Sequence, residues 1–170
     1  MNNLFDIYES GAVIRYHTKR THTRQTVADH AWGVAVILMW LYYPDLPPPK
    51  AFQRALLHDA PELITGDVPA PAKWRSLELK AALTKLEQEV SDELGLPVLD
   101  YEDPIQDFCD NAELIMHCIA QAKMGNSHFL KTAFRGMERI RSITGRIPDK
   151  MQSRVCQFLN AIEKEMRNVR

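Results

Sequence analysis

The sequence predicts an all-α bundle of about six or seven helices, and three observations predict it. Apolar residues recur at helical spacing along most of the chain. Capping residues open these stretches, and glycine or proline closes them. Few runs alternate like strands, and no repeat or low-complexity tract interrupts the pattern.

Asn3 to Gly11 reads as a short helix ended by Gly11. Thr26 or Asp29 caps a long apolar helix to about Tyr43, which stops before Pro44. Pro47-Pro48-Pro49 is a stiff turn. Lys50 to His58 forms the next helix, with Phe52, Ala55 and Leu56 on one face. Pro61 to Thr65 is a helical turn, and Gly66 to Pro71 is expected to be loop. Ser76 caps a helix to Leu94 that Gly95 closes. A loop follows over Pro97–Asp103, and Pro104 then opens a helix to Met124, closed by Gly125. Ser127 caps a helix to about Thr144, closed by Gly145, and Pro148 or Asp149 opens the last one. Trp32 and Trp40 read as core, and Trp74 as core or pocket wall. No linker divides the 170 residues, so the expectation is a single domain over residues 1–170.

Composition sets bounds on function. Hydrophobic residues make up 45% and charged residues 25%, as in an ordinary globular protein. A formal net charge of −1 argues against nucleic-acid polymers and membranes as general partners. The longest apolar stretch, Ala31 to Tyr43, is too short to span a bilayer. Cys109, Cys118 and Cys156 form no CxxC pair. With no export signal in Met1–Ser10, buried thiols in a reducing cytoplasm are expected.

The chemistry concentrates in a few positions. His58-Asp59 ends an apolar run, just before Pro61. Neighbours on a helix project about 100° apart, so both reach one ion only where a helix ends and relaxes. His30 is flanked by Val27 and Val34 at helical spacing and points inward. Asp110 lies between Phe108 and Ile115 on a third apolar helix, where a carboxylate needs a cation or another partner. His30, His58, Asp59 and Asp110 together make a mixed nitrogen and oxygen donor set. Such a set suits Co, Mn, Zn, Fe or Ni, and Mg less comfortably. Glu62 returns to the same side one turn after Asp59, placed as a general acid or base. Ser10 to Gln25 carries Arg15, Lys19, Arg20 and Arg24 with no acid, a local positive lip. Lys73 follows the Pro69/Pro71 segment as a positive point charge. His117 and His128 read as packing and surface.

The order His30, His58-Asp59, Asp110 resembles the H…HD…D signature of the HD-domain phosphohydrolases. The surrounding residues are closer still to the YfbR-like 5′-deoxynucleotidases and related phage dATP triphosphohydrolases. The likeness runs through Thr26-Val27-Ala28-Asp29-His30, His58 to Pro69, Pro71, Lys73, Asp110-Asn111-Ala112 and Gly125-Asn126. It implies a divalent metal on His30, His58, Asp59 and Asp110, with Glu62, Asp67 and Arg15 in catalysis. It implies substrate contacts from Arg15, Tyr16, Thr18, Asp59, Asp67, Val68, Pro69, Ala70, Pro71 and Lys73. Tyr16 stands where the bacterial nucleotidases carry tryptophan, so the sugar contact is made by a smaller ring with a polar tip. The implied reaction is hydrolysis of a small deoxynucleotide. A dNTP is preferred, dATP first, releasing triphosphate, and phosphate release from a dNMP is the alternative. A non-catalytic nucleotide-binding module is the remote alternative. Mg accompanying the phosphates, self-association and a cytoplasmic location (the host cytoplasm if phage-encoded) complete the expectation.

Overall fold

The computed structural model describes residues 3–96 and 102–169. It is helical almost throughout. The elements are α1 (Asn3–Ser10), β1 (Ile14–Arg15), β2 (Gln25–Thr26), α2 (Val27–Tyr42), α3 (Pro49–Leu57) and α4 (Glu62–Thr65). After these come α5 (Ala70–Arg75), α6 (Leu77–Leu94), α7 (Pro104–Lys123), α8 (Phe129–Ile143) and α9 (Asp149–Asn168). The all-α expectation holds. Of the expected loop over Pro97–Asp103, residues 97–101 lie outside the described residues. No described helix is long and apolar enough to cross a membrane.

The chain forms two compact units, Met1–Trp32 with Phe52–Asp100, and Gly33–Ala51 with Tyr101–Arg170. The boundaries near Trp32 and Ala51 fall inside α2 and α3. In the first unit, α4 and α6 pack on α1, and α5 packs on α6. Val27, Ala31, Ala55, Ala60, Val90 and Leu94 are buried there. A two-residue antiparallel ladder pairs Ile14 with Thr26 and Arg15 with Gln25. It delivers Arg15 beside the start of α2.

In the second unit α7 is the axis, with α8 and α9 packed on it. Phe108, Ile115, Ala133, Ile140 and Val155 are fully buried, and Phe108 meets Phe158 edge-on at 5.5 Å. The α7–α8 approach depends on Gly136. A Cβ built there lies 2.8 Å from Ile115 Cγ1. Gly136→Ala is therefore expected to destabilise by about 1–3 kcal/mol through overpacking. Thermal denaturation checks this, and an unchanged midpoint contradicts it.

Several sequence expectations are corrected. Gly66 to Pro71 is loop only as far as Pro69, because Ala70 and Pro71 already belong to α5. Proline is tolerated in a helix's first turn, where its missing N–H is not needed. Ser127 does not cap α8, which is preceded by His128. Gly145 does not close that helix but sits inside a 3-10 turn, Thr144–Arg146. Trp32 is exposed, as are Leu56, Trp74 and Cys156, while Trp40 is half-buried. The expected caps at Ser76 and Gly95 are present. Ser76 accepts from Leu79 N, and Gly95 is left-handed at φ 66°.

Candidate metal centre

The site starts from a helix cap. Thr26 Oγ1 accepts from Asp29 N at 3.2 Å, and Asp29 Oδ2 accepts from Thr26 N at 2.9 Å. This reciprocal box fixes the first turn of α2. His30 follows immediately and is fully buried.

The second histidine sits where α3 runs out. His58 N still bonds to Arg54 O, but Ala60 N turns back to Leu57 O and Glu62 N to Asp59 O. The backbone tightens to i→i+3 turns at this point, and that lets adjacent side chains converge. His58 Nδ1 faces Ala55 O at 3.2 Å. That carbonyl accepts the Nδ1 hydrogen, which leaves the Nε2 lone pair for a metal.

Both Nε2 atoms face one carboxylate. His30 Nε2 lies 3.5 Å from Asp59 Oδ2, and His58 Nε2 lies 3.5 Å from Asp59 Oδ1. The two rings stand 5.3 Å apart at 60°, with ligand nitrogens within 4.8 Å of each other. A separation of 3.5 Å is long for a hydrogen bond. It is the spacing of two donors that share one ion at bonds of about 2.1 Å. Two imidazoles and a carboxylate, mostly sheltered from water, fit a borderline divalent ion.

Charged groups crowd this set. Arg15 Nη1 donates to Asp59 Oδ2 in a mostly buried ion pair. Glu62 is only 5% exposed, and no hydrogen-bond partner reaches its Oε2 among the described residues. Burial, then the Asp59 charge, pushes the Glu62 carboxyl up to about 9; Asp67 adds to this, and Arg15 and Lys73 oppose it.

The Gly66 loop supports a third wall. Gly66 adopts φ 66°, ψ 169°, a conformation open essentially to glycine alone. Asp67 follows and accepts from Tyr16 N at 3.0 Å. Tyr16 has φ 56°, a left-handed backbone that is strained for a bulky residue. The Asp67 bond therefore helps hold Tyr16 in this conformation, next to Arg15. Thr18 is exposed in the turn closed by Lys19 N and Tyr16 O. Val68 and Pro69 are half-buried, while Ala70 and Pro71 are exposed at the start of α5. Lys73 is held 3.6 Å from Glu87 on α6.

Lys19, Arg20 and Arg24 are exposed as expected, along with His17 and His22. Asp110 is half-buried in the second turn of α7, in the second unit. Burial pushes the neighbouring Cys109 thiol well up, with Asp110 and Asp103 adding to the effect. His117 packs against Phe129, and His128 is exposed beside it. Sequence reasoning missed Ala55 and Glu87. Ala55 acts through its carbonyl, and Glu87 is one of many acids on α6, so neither left a signal.

The family model described as 5′-deoxynucleotidase YfbR-like matches residues 7–102. This chain belongs to the YfbR-like family. It is an HD-domain phosphohydrolase, as the H…HD…D order implies. A 5′-deoxynucleotidase of Shewanella oneidensis is 29% identical over 74% of this chain and 72% of its own length. A dATP triphosphohydrolase of Salmonella phage PMBT28 is 34% identical over 51% of this chain; the match spans half of that protein. The HD phosphohydrolase DatZ of cyanophage S-2L, solved with dA and one catalytic Zn2+ ion, superposes with TM-score 0.74. It is 25% identical, covering 96% of this chain and 98% of that one.

Proposed function

We propose that this YfbR-like protein is a metal-dependent deoxynucleotide phosphohydrolase whose first substrate is dATP, cleaved to deoxyadenosine and triphosphate. The observation that carries the proposal is the convergence of His30 and His58 on Asp59, with buried Glu62 one turn on. His30, His58 and Asp59 would hold the ion, and the H…HD…D order of the sequence assigns the fourth donor to Asp110. Zinc is favoured by the likeness to DatZ, and the same donors accept Co, Mn, Fe or Ni. Mg would travel with the phosphates. When bound, a divalent ion supplies a Lewis acid that polarises a phosphoryl oxygen and acidifies water.

The chain's own residues do the rest. Water attacks the α-phosphorus, and the bond from phosphorus to O5′ breaks. Glu62 carries the proton. Without metal its carboxyl is pushed up to about 9. A bound cation would lower that value, and Glu62 would then take a proton from the attacking water and pass it to the departing O5′. Arg15 and Lys73 balance phosphate charge, and exposed Lys19, Arg20 and Arg24 extend the cations toward the outer phosphates. Tyr16, ordered by Asp67, packs on the sugar; Thr18 lies toward the base; Val68, Pro69, Ala70 and Pro71 form a stiff wall. Residues 1–170 are taken as one HD domain, cytoplasmic (in the host if phage-encoded) and self-associating.

The family description favours a second reading, release of phosphate from a dNMP. A non-catalytic nucleotide-binding module gives no reason to bury Glu62 beside Asp59. Incubating the protein with dATP and with dAMP, and separating products by chromatography, decides between the two reactions. Triphosphate from dATP is the expected product. Orthophosphate from dAMP with no triphosphate from dATP overturns the choice.

A further inference from the structure

Helix α2 is apolar on every side. After Asp29 its sequence, from His30 to Tyr42, holds no acid, lysine or arginine. Such a helix is normally covered all round. One side of it is covered: Val34, Ala35, Leu38 and Leu41 are buried. The other side is bare. Trp32 is 68% exposed, and Val36 and Met39 are exposed too. Just past the helix end Tyr43 is 67% exposed and Leu46 79%. With 100° per residue, Asp29, Trp32, Val36, Met39 and Tyr43 fall within an arc of about 80°. This is a continuous stripe, unlike a scatter of single exposed side chains.

We propose that this stripe is a two-fold interface with a second copy of the chain, α2 packing antiparallel on α2 about Val36. This locates the self-association already inferred. Two features single out a second copy as the occupant. The first is charge. Asp29 stands in the first turn of α2, and Arg154 lies over the Trp40 and Tyr43 rings at the other end, at 5.4 and 5.3 Å. Lys150 stands over Tyr42 beside it. Val36 is midway between Asp29 and Tyr43. A two-fold through Val36 therefore sets Asp29 of one copy against Tyr43 and Arg154 of the other, twice over. The apolar middle carries no charge to repel its own image.

The second feature is area. The stripe exposes roughly 500 Å² of apolar surface, judged from aromatic side chains that present about 150–250 Å² each. One partner in a standard interface contributes about 800 Å². The stripe supplies the apolar centre of such a contact, and Asp29, Lys150 and Arg154 supply a polar rim.

Sedimentation velocity tests this on the wild type, on Val36→Lys and on Leu77→Lys, the last altering an exposed leucine on α6. The wild type and Leu77→Lys are expected to be dimers or higher multiples of a dimer. Val36→Lys is expected to halve the assembly while keeping the wild-type circular dichroism. In a Cys156→Ser background, Val36→Cys is expected to cross-link two chains with a short bismaleimide. A monomeric wild type overturns self-association itself. An assembly that survives Val36→Lys, or a Val36→Cys protein that gives no cross-linked pair, overturns this face and leaves self-association standing.

Discussion

Asp59→Ala is expected to lose bound metal and turnover together. Asp59 is the carboxylate on which both histidine Nε2 atoms converge, so its removal takes away the anionic donor that both imidazoles face. A catalytic ion is worth several kcal/mol of transition-state stabilisation. At about 1.36 kcal/mol per decade, kcat/KM should fall by at least about 10³-fold. The variant also strips the mostly buried Arg15 of its ion-pair partner. Asp59→Asn keeps the shape and an acceptor, so it separates lost metal from lost fold. Elemental analysis and product release are read on both variants, with circular dichroism as the check on folding. Unchanged activity in a folded Asp59→Ala protein sinks the site assignment.

Glu62→Gln is expected to slow turnover by about 10²–10⁴-fold, the usual contribution of a positioned acid or base. The same change should stabilise the metal-free protein. The folded carboxyl is raised from 4.5 to about 9, chiefly by burial and then by Asp59. The folded state therefore binds more protons than the unfolded one between those values. The stability this gives is complete below about pH 4.5 and is lost as pH rises toward about 9. Glutamine imitates the neutral carboxyl and removes that dependence. With metal chelated, Glu62→Gln should melt several degrees above wild type at pH 8, because about 1 kcal/mol shifts the midpoint by 2–4 °C in a chain of this size. The gap should close toward pH 5. Equal midpoints at pH 8 would mean that Glu62 sits in a more hydrated place than its burial indicates. Slow turnover with a normal metal content would keep Glu62 in proton transfer. Loss of metal in the same variant would make it a support for the ion.

The features that were legible in the sequence are local ones. Thr26 and Asp29 form a capping box because their spacing of three brings each side chain onto the other's backbone N–H. Ser76 and Gly95 bound α6 for similar reasons. His58 and Asp59 were readable as partners because Pro61 announces the end of the helix that would otherwise splay them. Where proline obeys two rules, the sequence misleads. Pro71 reads as a breaker, yet it occupies the first turn of α5, where it breaks nothing. Trp32 reads as core because α2 is apolar throughout, and nothing in the chain's own pattern says which face lacks a cover. The finer parts of the site depend on partners distant in sequence. Asp67 reaches a backbone N–H 51 residues away. Lys73 leans on Glu87, and His58 is aimed by the Ala55 carbonyl. No spacing rule encodes these, since each depends on how separate elements are brought together.

The central claim is that hydrolysis of a deoxynucleotide depends on one metal ion at His30, His58 and Asp59. Titrating metal-free protein with zinc while following dATP hydrolysis tests it most directly. Activity should rise linearly and reach a plateau at one ion per chain, vanish on chelation and return on re-addition. Full activity in the chelated protein, or saturated metal binding with no product from dATP or dAMP, would contradict it.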